Sequence, residues 1–244
     1  MGSFAQISSG RERWAPFIHI ARHRHDRAYA ALVLSGSYEE SGSRGRFRVG
    51  PGDVLFHGAF DAHLDRFCGS GAQILNLLVE ETPAGIDVGR VSDPDTIVRI
   101  AERDVGAADA TLRAQVRPIQ RTPLDWQDQL AADLLRNPEC LLDQWARSND
   151  LAPATVSRGF SKVFDVTPAE FRLEARTRRA LAMIAANATS LAMIAVTTGF
   201  ADQAHMTRAI RSLTGSTPGH WRRSNRFKTV AAPGLPNPGH ESSS

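Results

Sequence analysis

Short apolar runs separated by turn-rich polar stretches dominate the first 80 residues. The runs fall at 17–20, 29–34, 54–56 and 74–79, with Ser41-Gly-Ser-Arg-Gly45 and Gly50-Pro-Gly52-Asp53 among the breaks. Several short strands at close, regular spacing predict a sandwich or barrel. From about Asp93 the apolar period lengthens to that of a helix, over 93–103 and 109–116, as one broken helix or two. Pro118 and Pro123 bracket a linker-like stretch, and helices are predicted at 124–135 and 139–148. Residues 231–244, rich in Pro, Gly and Ser, lack the apolar positions a packed element needs and are predicted to be disordered.

The C-terminal part repeats itself. At a constant offset of 50, Arg158 meets Arg208, Phe160 meets Ile210, Thr167-Pro168 meets Thr217-Pro218, Phe171 meets Trp221, and Arg172 meets Arg222. Each copy reads as two helices across a tight turn. In the second, residues 191–198 form a short helix with Leu191, Ile194 and Ala195 on one face, and Gly199 supplies the freedom of the turn. Asp202 suits the N-cap of the next helix, 203–213, because its carboxylate accepts from orphan amides. Met206, Ile210 and Leu213 give that helix a buried face. In the first copy, residues 141–148 precede a turn at 149–152 and a helix at 153–164. Pro153 sits at its first turn, and Val156, Phe160 and Val163 form its buried face. Residues 168–186 read as one long helix able to fix the two second helices relative to each other.

Composition narrows the class. A chain of 244 residues exceeds one typical domain, and 42% hydrophobic residues can bury two modest cores. No segment reaches the roughly 18–20 apolar residues that cross a bilayer, and Met1 to Gly10 lacks the order of a signal peptide. Cys68 and Cys140 are the only cysteines, which fits a reduced cytoplasm better than a disulfide framework. Residues 151–228 hold 12 Lys/Arg against 4 Asp/Glu, whereas residues 1–150 hold 17 against 21. A basic C-terminal third behind an acidic front is the footprint of a polyanion-binding module, with a solvated helix face as the plainer reading.

The second copy carries Ile194-Ala195, Gly199-Phe200, Asp202, Arg208, Gly215-Ser-Thr-Pro218 and Trp221-Arg222. In this it resembles the AraC-type family of bacterial transcription regulators, over roughly the last 100 folded residues. The first copy departs from the family pattern at Asp150 and Asp165, where glycine is usual; Asp tolerates left-handed backbone angles better than most residues. The resemblance implies two recognition helices in adjacent major grooves of double-stranded DNA, about 34 Å apart. The groove-facing residues are then Ala154, Ser157 and Arg158 in the first helix and Gln203, Ala204, His205 and Arg208 in the second. Arg pairs well with guanine and Gln with adenine; phosphate contact or intramolecular pairing is the alternative for Arg158 and Arg208. Arg172, Arg176, Arg178, Arg179, Arg222 and Arg223 are expected at the DNA backbone or in solvent.

In the N-terminal part, His23-Arg-His25 precedes the run at 29–34, then Gly36, Gly50-Pro-Gly52-Asp53 and His63. This order resembles the cupin barrel that many AraC-type regulators carry. In metal-binding cupins the His-x-His pair and the later His are ligands, joined by a Glu a few residues after the pair. Here the corresponding stretch offers only Asp26 and Tyr29. Alternation sets His23 and His25 on one face, able to point inward with His63. Three imidazoles with water or a small molecule suit zinc or another transition metal, with His57 or Cys68 to complete the set. An effector pocket without metal and purely structural histidines remain open. Trp14, Phe17, Tyr29 and Phe56 are candidates for the pocket wall, and His19 reads as an ordinary strand residue.

The expectation is an α+β two-domain protein. A cupin-like β-barrel (jelly roll) covers 1–90, helices serving as linker or dimer contacts 91–120, a double helix-turn-helix DNA-binding domain 121–228 and a disordered tail 229–244. The implied function is transcription regulation by a cytoplasmic protein that is not an enzyme. Its partners are operator DNA, a small-molecule or metal effector, a second copy of itself, RNA polymerase if it activates, and no membrane. An architectural DNA-binding protein without effector is the alternative. A cupin-type metalloenzyme fused to a DNA-binding domain is further off, for want of that glutamate and of an acid/base constellation.

Overall fold

The computed structural model describes residues 5–120, 123, 125–137, 140–186 and 189–230. The strands are β1 (Gly10–Trp14), β2 (His19–Arg24), β3 (Tyr29–Gly42), β4 (Gly45–Val49), β5 (Asp53–His57), β6 (Ala62–Leu78), β7 (Val88–Arg90) and β8 (Arg117–Pro118). The helices are α1 (Pro94–Ala101), α2 (Val105–Gln115), α3 (Trp126–Arg136), α4 (Leu142–Ser148), α5 (Pro153–Phe164), α6 (Pro168–Ala186), α7 (Leu191–Thr197), α8 (Gln203–Thr214) and α9 (Pro218–Val230). An antiparallel, strand-rich front is thus followed by a helical rear. Leu124 and Glu139, where two helices were expected to start, and residues 231–244, expected to be disordered, lie outside the described residues.

The sheet follows the path β1-β6-β3-β5-β7-β8, with β2 added along β6 and β4 along β3. β3 and β6, with 14 and 17 residues, are long enough to serve two halves. The first residues of β3 pair with β5 and with residues 74–78 of β6; residues 38–42 pair with β4 and with 63–67 of β6. Register shifts on either side of Gly36 separate the halves. Gly36 and Gly71 have φ of +73° and +62° there, and a Cβ on Gly36 would strike the carbonyl oxygen of Gly71. The sheet folds over in jelly-roll fashion at this crossing. It does not close into the expected ring: among the described residues β1 and β8, the ends of the path, do not pair.

Both faces of β3 are buried. Ala30 and Leu32 join Phe56, Leu77, Ile97, Val98, Ala108 and Leu112 in a core between the sheet and α1 and α2. Tyr29, Ala31 and Val33 face inward with Tyr38, Leu55, Phe67 and Ile74. The helical stretch after Asp93 is therefore two helices, capped by Asp93 and Asp104, and residues expected to form a linker share the core of the sheet. Asp53 closes the Gly-Pro-Gly turn by accepting from the Gly50 amide at 3.0 Å, and it also accepts from Arg90 of β7 at 2.8 Å.

The chain divides into two compact units, Met1–Arg176 and Thr177–Ser244. The first helix-turn-helix thus belongs with the sheet, although the sequence pattern changes near residue 121. Ion pairs join the sheet to these helices within the first unit. Arg46 of β4 reaches Asp125 at 2.6 Å and Asp128 at 2.9 Å, and Arg22 of β2 reaches Glu174 of α6 at 2.6 Å. Among the described residues no helix is long and apolar enough to cross a membrane.

Candidate functional site

Among the described residues, the side chains expected to carry function gather in two places: the helix pairs α4–α5 and α7–α8, and a cavity inside the folded sheet.

In the first pair, α5 buries Val156, Phe160, Val163 and Phe164 against Leu130, Leu134, Trp145 and Phe171. In the second, α8 buries Met206, Ile210 and Leu213, of which Met206 and Ile210 pack with Ile184, Ile194 and Phe200. Burial of one stripe leaves the other to solvent. Ala154, Ser157, Arg158, Gln203, Ala204 and Arg208 are all exposed there. His205 is half-buried, its ring edge-on to Phe200 at 5.2 Å. Among the described residues, neither Arg158 nor Arg208 has an intramolecular hydrogen bond or ion pair.

The turns differ by one residue. Asp202 caps α8 by accepting from the His205 amide at 2.6 Å, whereas α5 starts on Pro153 without a side-chain cap. Asp150 and Asp165 take φ of 54° and 55°, doing the work of Gly199 at 79° and Gly215 at 75°. After the left-handed residue, Leu151 donates its amide to Ala146 and Phe200 donates to Ala195, which is an offset of 49 rather than 50. The first turn is thus shorter by one residue than the second. Gly159 marks another difference: a Cβ there would lie 2.5 Å from the ring of Trp126.

Two of the arginines expected at the DNA backbone or in solvent instead brace their own units. Arg172 donates to the Cys140 carbonyl at 2.9 Å and Arg222 to the Thr189 carbonyl at 2.6 Å, each just ahead of the first helix of its pair.

The cavity has a volume of 450 Å³. One wall is apolar, with Trp14, Ile20, Phe67 and Ile74; the other carries His23, His25, His57, His63, Tyr29 and Glu40. Of the expected wall residues, Trp14 and Tyr29 are in place. Phe17 is 82% exposed in the turn before β2, and Phe56 faces the helices on the other side of the sheet. His19 is an exposed strand residue, and Cys68 is exposed on β6.

Strand pairing brings the histidines together. His23 of β2 is register partner to His63 of β6, and Tyr29 of β3 to His57 of β5. Nδ1 of His23 lies 3.0 Å from the Ala21 carbonyl and Nδ1 of His25 2.8 Å from the Ala5 carbonyl. A carbonyl only accepts, so both Nδ1 atoms carry the hydrogen and both Nε2 atoms of the neutral rings are lone pairs. His63 Nε2, 2.8 Å from His23 Nε2, must then donate, which leaves its Nδ1 to accept from His57 Nδ1 at 3.2 Å. That fixes His57 Nε2 as a buried lone pair without a hydrogen-bond partner among the described residues, 3.5 Å from Glu40 Oε2. Burial keeps all four rings neutral, lowering His57 to about 3 and His23, His25 and His63 below the usual imidazole range. Burial, helped by Asp65 and Asp61, raises Glu40 well above an ordinary carboxyl group.

One ligand atom each from His23, His25 and His63 lies within 4.8 Å of the others, and so do those of Glu40, His57 and His63. Glu40, from the far half of β3, joins the group of His57 and His63 and not that of the His-x-His pair.

Residues 145–224 match the family described as a helix-turn-helix domain. No curated protein matches the chain. Among solved structures, the chain is similar to ToxT from Vibrio cholerae, at 7% identity over 88% of this chain and 97% of that one, TM-score 0.43. A DNA-binding transcriptional dual regulator from Escherichia coli K-12 aligns at 17% identity over 45% of this chain and 99% of that one, TM-score 0.39. The DNA-binding domain of AdpA in complex with a target DNA aligns at 19% over 44% and 99%, TM-score 0.40. All three scores mark distant likenesses.

Proposed function

We infer, from a helix-turn-helix match at residues 145–224 behind a histidine-lined sheet, that the chain is a sequence-specific DNA-binding transcription regulator of the AraC type that senses an effector. The observation that carries this reading is the pair α5 and α8, each with a buried apolar stripe and, on its exposed face, an arginine without a partner among the described residues. On double-stranded DNA, Arg158 and Arg208 read guanine edges and Gln203 an adenine edge. Ala154, Ser157, Ala204 and His205 shape the fit to the major groove. The chain works in the cytoplasm, carries no catalytic step, and acts as a homodimer that meets RNA polymerase if it activates.

The cavity is the sensing site in this reading. Two rings held by backbone carbonyls, with their Nε2 lone pairs turned the same way, are what a metal-binding histidine needs. His23, His25 and His63 would hold a divalent transition metal such as zinc, which when bound would supply a positive charge facing one lone pair of each ring. A small organic molecule against Trp14, Ile20, Phe67 and Ile74 is the other occupant the cavity suits.

Selection of genomic fragments on the purified protein tests the reading. A recovered motif spanning two adjacent major grooves is the expected result. Binding of equal strength to every sequence, lost steeply with salt, would instead point to an architectural role. Titration with cobalt(II) separates the occupants: a visible absorption band in the wild type, absent in His63→Ala, identifies the metal site, and no band leaves the organic effector.

A further inference from the structure

The sheet holds the first helix-turn-helix through arginines. Arg22 donates from Nη1 to the Phe164 carbonyl at 3.1 Å and from Nη2 to Glu174 Oε2 at 2.6 Å. Arg24 donates to the other oxygen of Glu174 at 3.2 Å, and Arg66 of β6 to the Lys162 carbonyl at 3.2 Å. Lys162 and Phe164 lie in the last turn of α5, where carbonyls have no partner within the helix and a cation is favoured by its dipole. The Arg22 and Glu174 side chains are only 8% and 18% exposed, so this pair is shielded as surface pairs are not.

Arg22 also lines the histidine cavity. Pairing of β2 with β6 slips by one residue between Ile20 and His23, and Arg22 sits in that irregularity. Such a bulge re-aims a side chain and frees the backbone from the ladder. The neighbouring residues are tied to the cavity: the Ala21 carbonyl accepts from His23 Nδ1, and His23 Nε2 faces His63. One short segment, Ala21 to His23, therefore bears on the cavity and on the end of the recognition helix at once.

We propose that Arg22 is a positioning residue that ties the state of the histidine cavity to the first recognition helix. A change that draws His23 from His63 shifts the bulge, loosens the grip on Phe164 and Glu174, and frees the last turn of α5 from the sheet. This rests on the reading of the cavity as the sensing site.

Amide hydrogen exchange on the full chain tests it, in the wild type, H23Q, E174Q, their double variant and R22K. H23Q and E174Q should each speed exchange over residues 160–176 at least threefold, while α2 keeps its protection as the sign of an intact core. The double variant should go no further than the larger single effect. R22K, with the charge but without the fork that serves two acceptors, should fall between wild type and E174Q. If H23Q costs α2 its protection, His23→Asn takes its place. Unchanged exchange over 160–176 in the His23 variant, or effects that multiply in the double variant, would overturn the proposal. The same cycle read as affinity for the selected operator should also fail to multiply. Absence of a specific operator would sink the regulator reading and leave the exchange result to decide the coupling. A specific operator with a flat exchange pattern would sink the coupling alone.

Discussion

Arg158 and Arg208 stand at equivalent positions on α5 and α8, exposed and without a partner among the described residues. Their chain mates Arg172 and Arg222 look no different in sequence, yet each is tied to a carbonyl of its own unit. The distinction sets the expected phenotypes apart. Arg208→Ala should weaken operator binding by about 1–3 kcal/mol and relax preference at one base pair, with the fold unchanged. An equal loss on every sequence, measured by gel shift against scrambled sites, would make Arg208 a phosphate contact instead. Arg222→Ala should lower thermal stability first and DNA affinity only as a result. Calorimetry of the free protein would separate the two: an unchanged melting temperature counts against the bracing role of Arg222.

At the scale of elements, local rules settled much of the helical part. Pro153 at a first turn, Asp202 at a cap, and the spacing of Met206, Ile210 and Leu213 mark α5 and α8 before any contact is known. Removing the Asp202 cap by Asp202→Ala should cost about 1 kcal/mol, seen as a lower melting temperature of the second helix pair. An equal melting temperature would mean that tertiary packing alone holds the end of α8. The histidine cavity was less legible because it is made by pairing across the sheet. Glu40 follows Glu39 and reads as one of two solvated acids, but Tyr38 fixes the inward face and Glu40 shares it two residues on. His57 likewise follows the inward Leu55 by two. The register slip between Val33 and Ser35 hid this alternation, since the inward residues of β3 are odd-numbered before it and even-numbered after it. Phe17 misled for the opposite reason: an apolar residue in a turn at φ 59° has no sheet face to bury.

Over the whole molecule, the buried polar groups of the cavity set how stability responds to pH. The folded state lowers His57 to about 3 from 6.5, so the unfolded chain binds more protons between those values and stability falls as pH drops from 6.5 toward 3. Asp65 works the other way. Burial, with Glu12 nearby, raises it to about 7, so stability falls as pH rises from 3.8 through about 7. In protein free of added metal, H57Q should flatten the acid side of a melting-temperature profile relative to wild type, and D65N the neutral side. Parallel profiles for all three would show that neither group is buried in the folded chain. The close approach of Gly159 to Trp126 bears on a different matter, the exchange of parts between the two halves of the repeat. Moving α5 into the second unit transplants a glycine, which fits anywhere that helix packs. Moving α8 into the first brings Ala209 to the place of Gly159, and its methyl group into the indole ring. One tryptophan thus makes the trade between the two helices one-way.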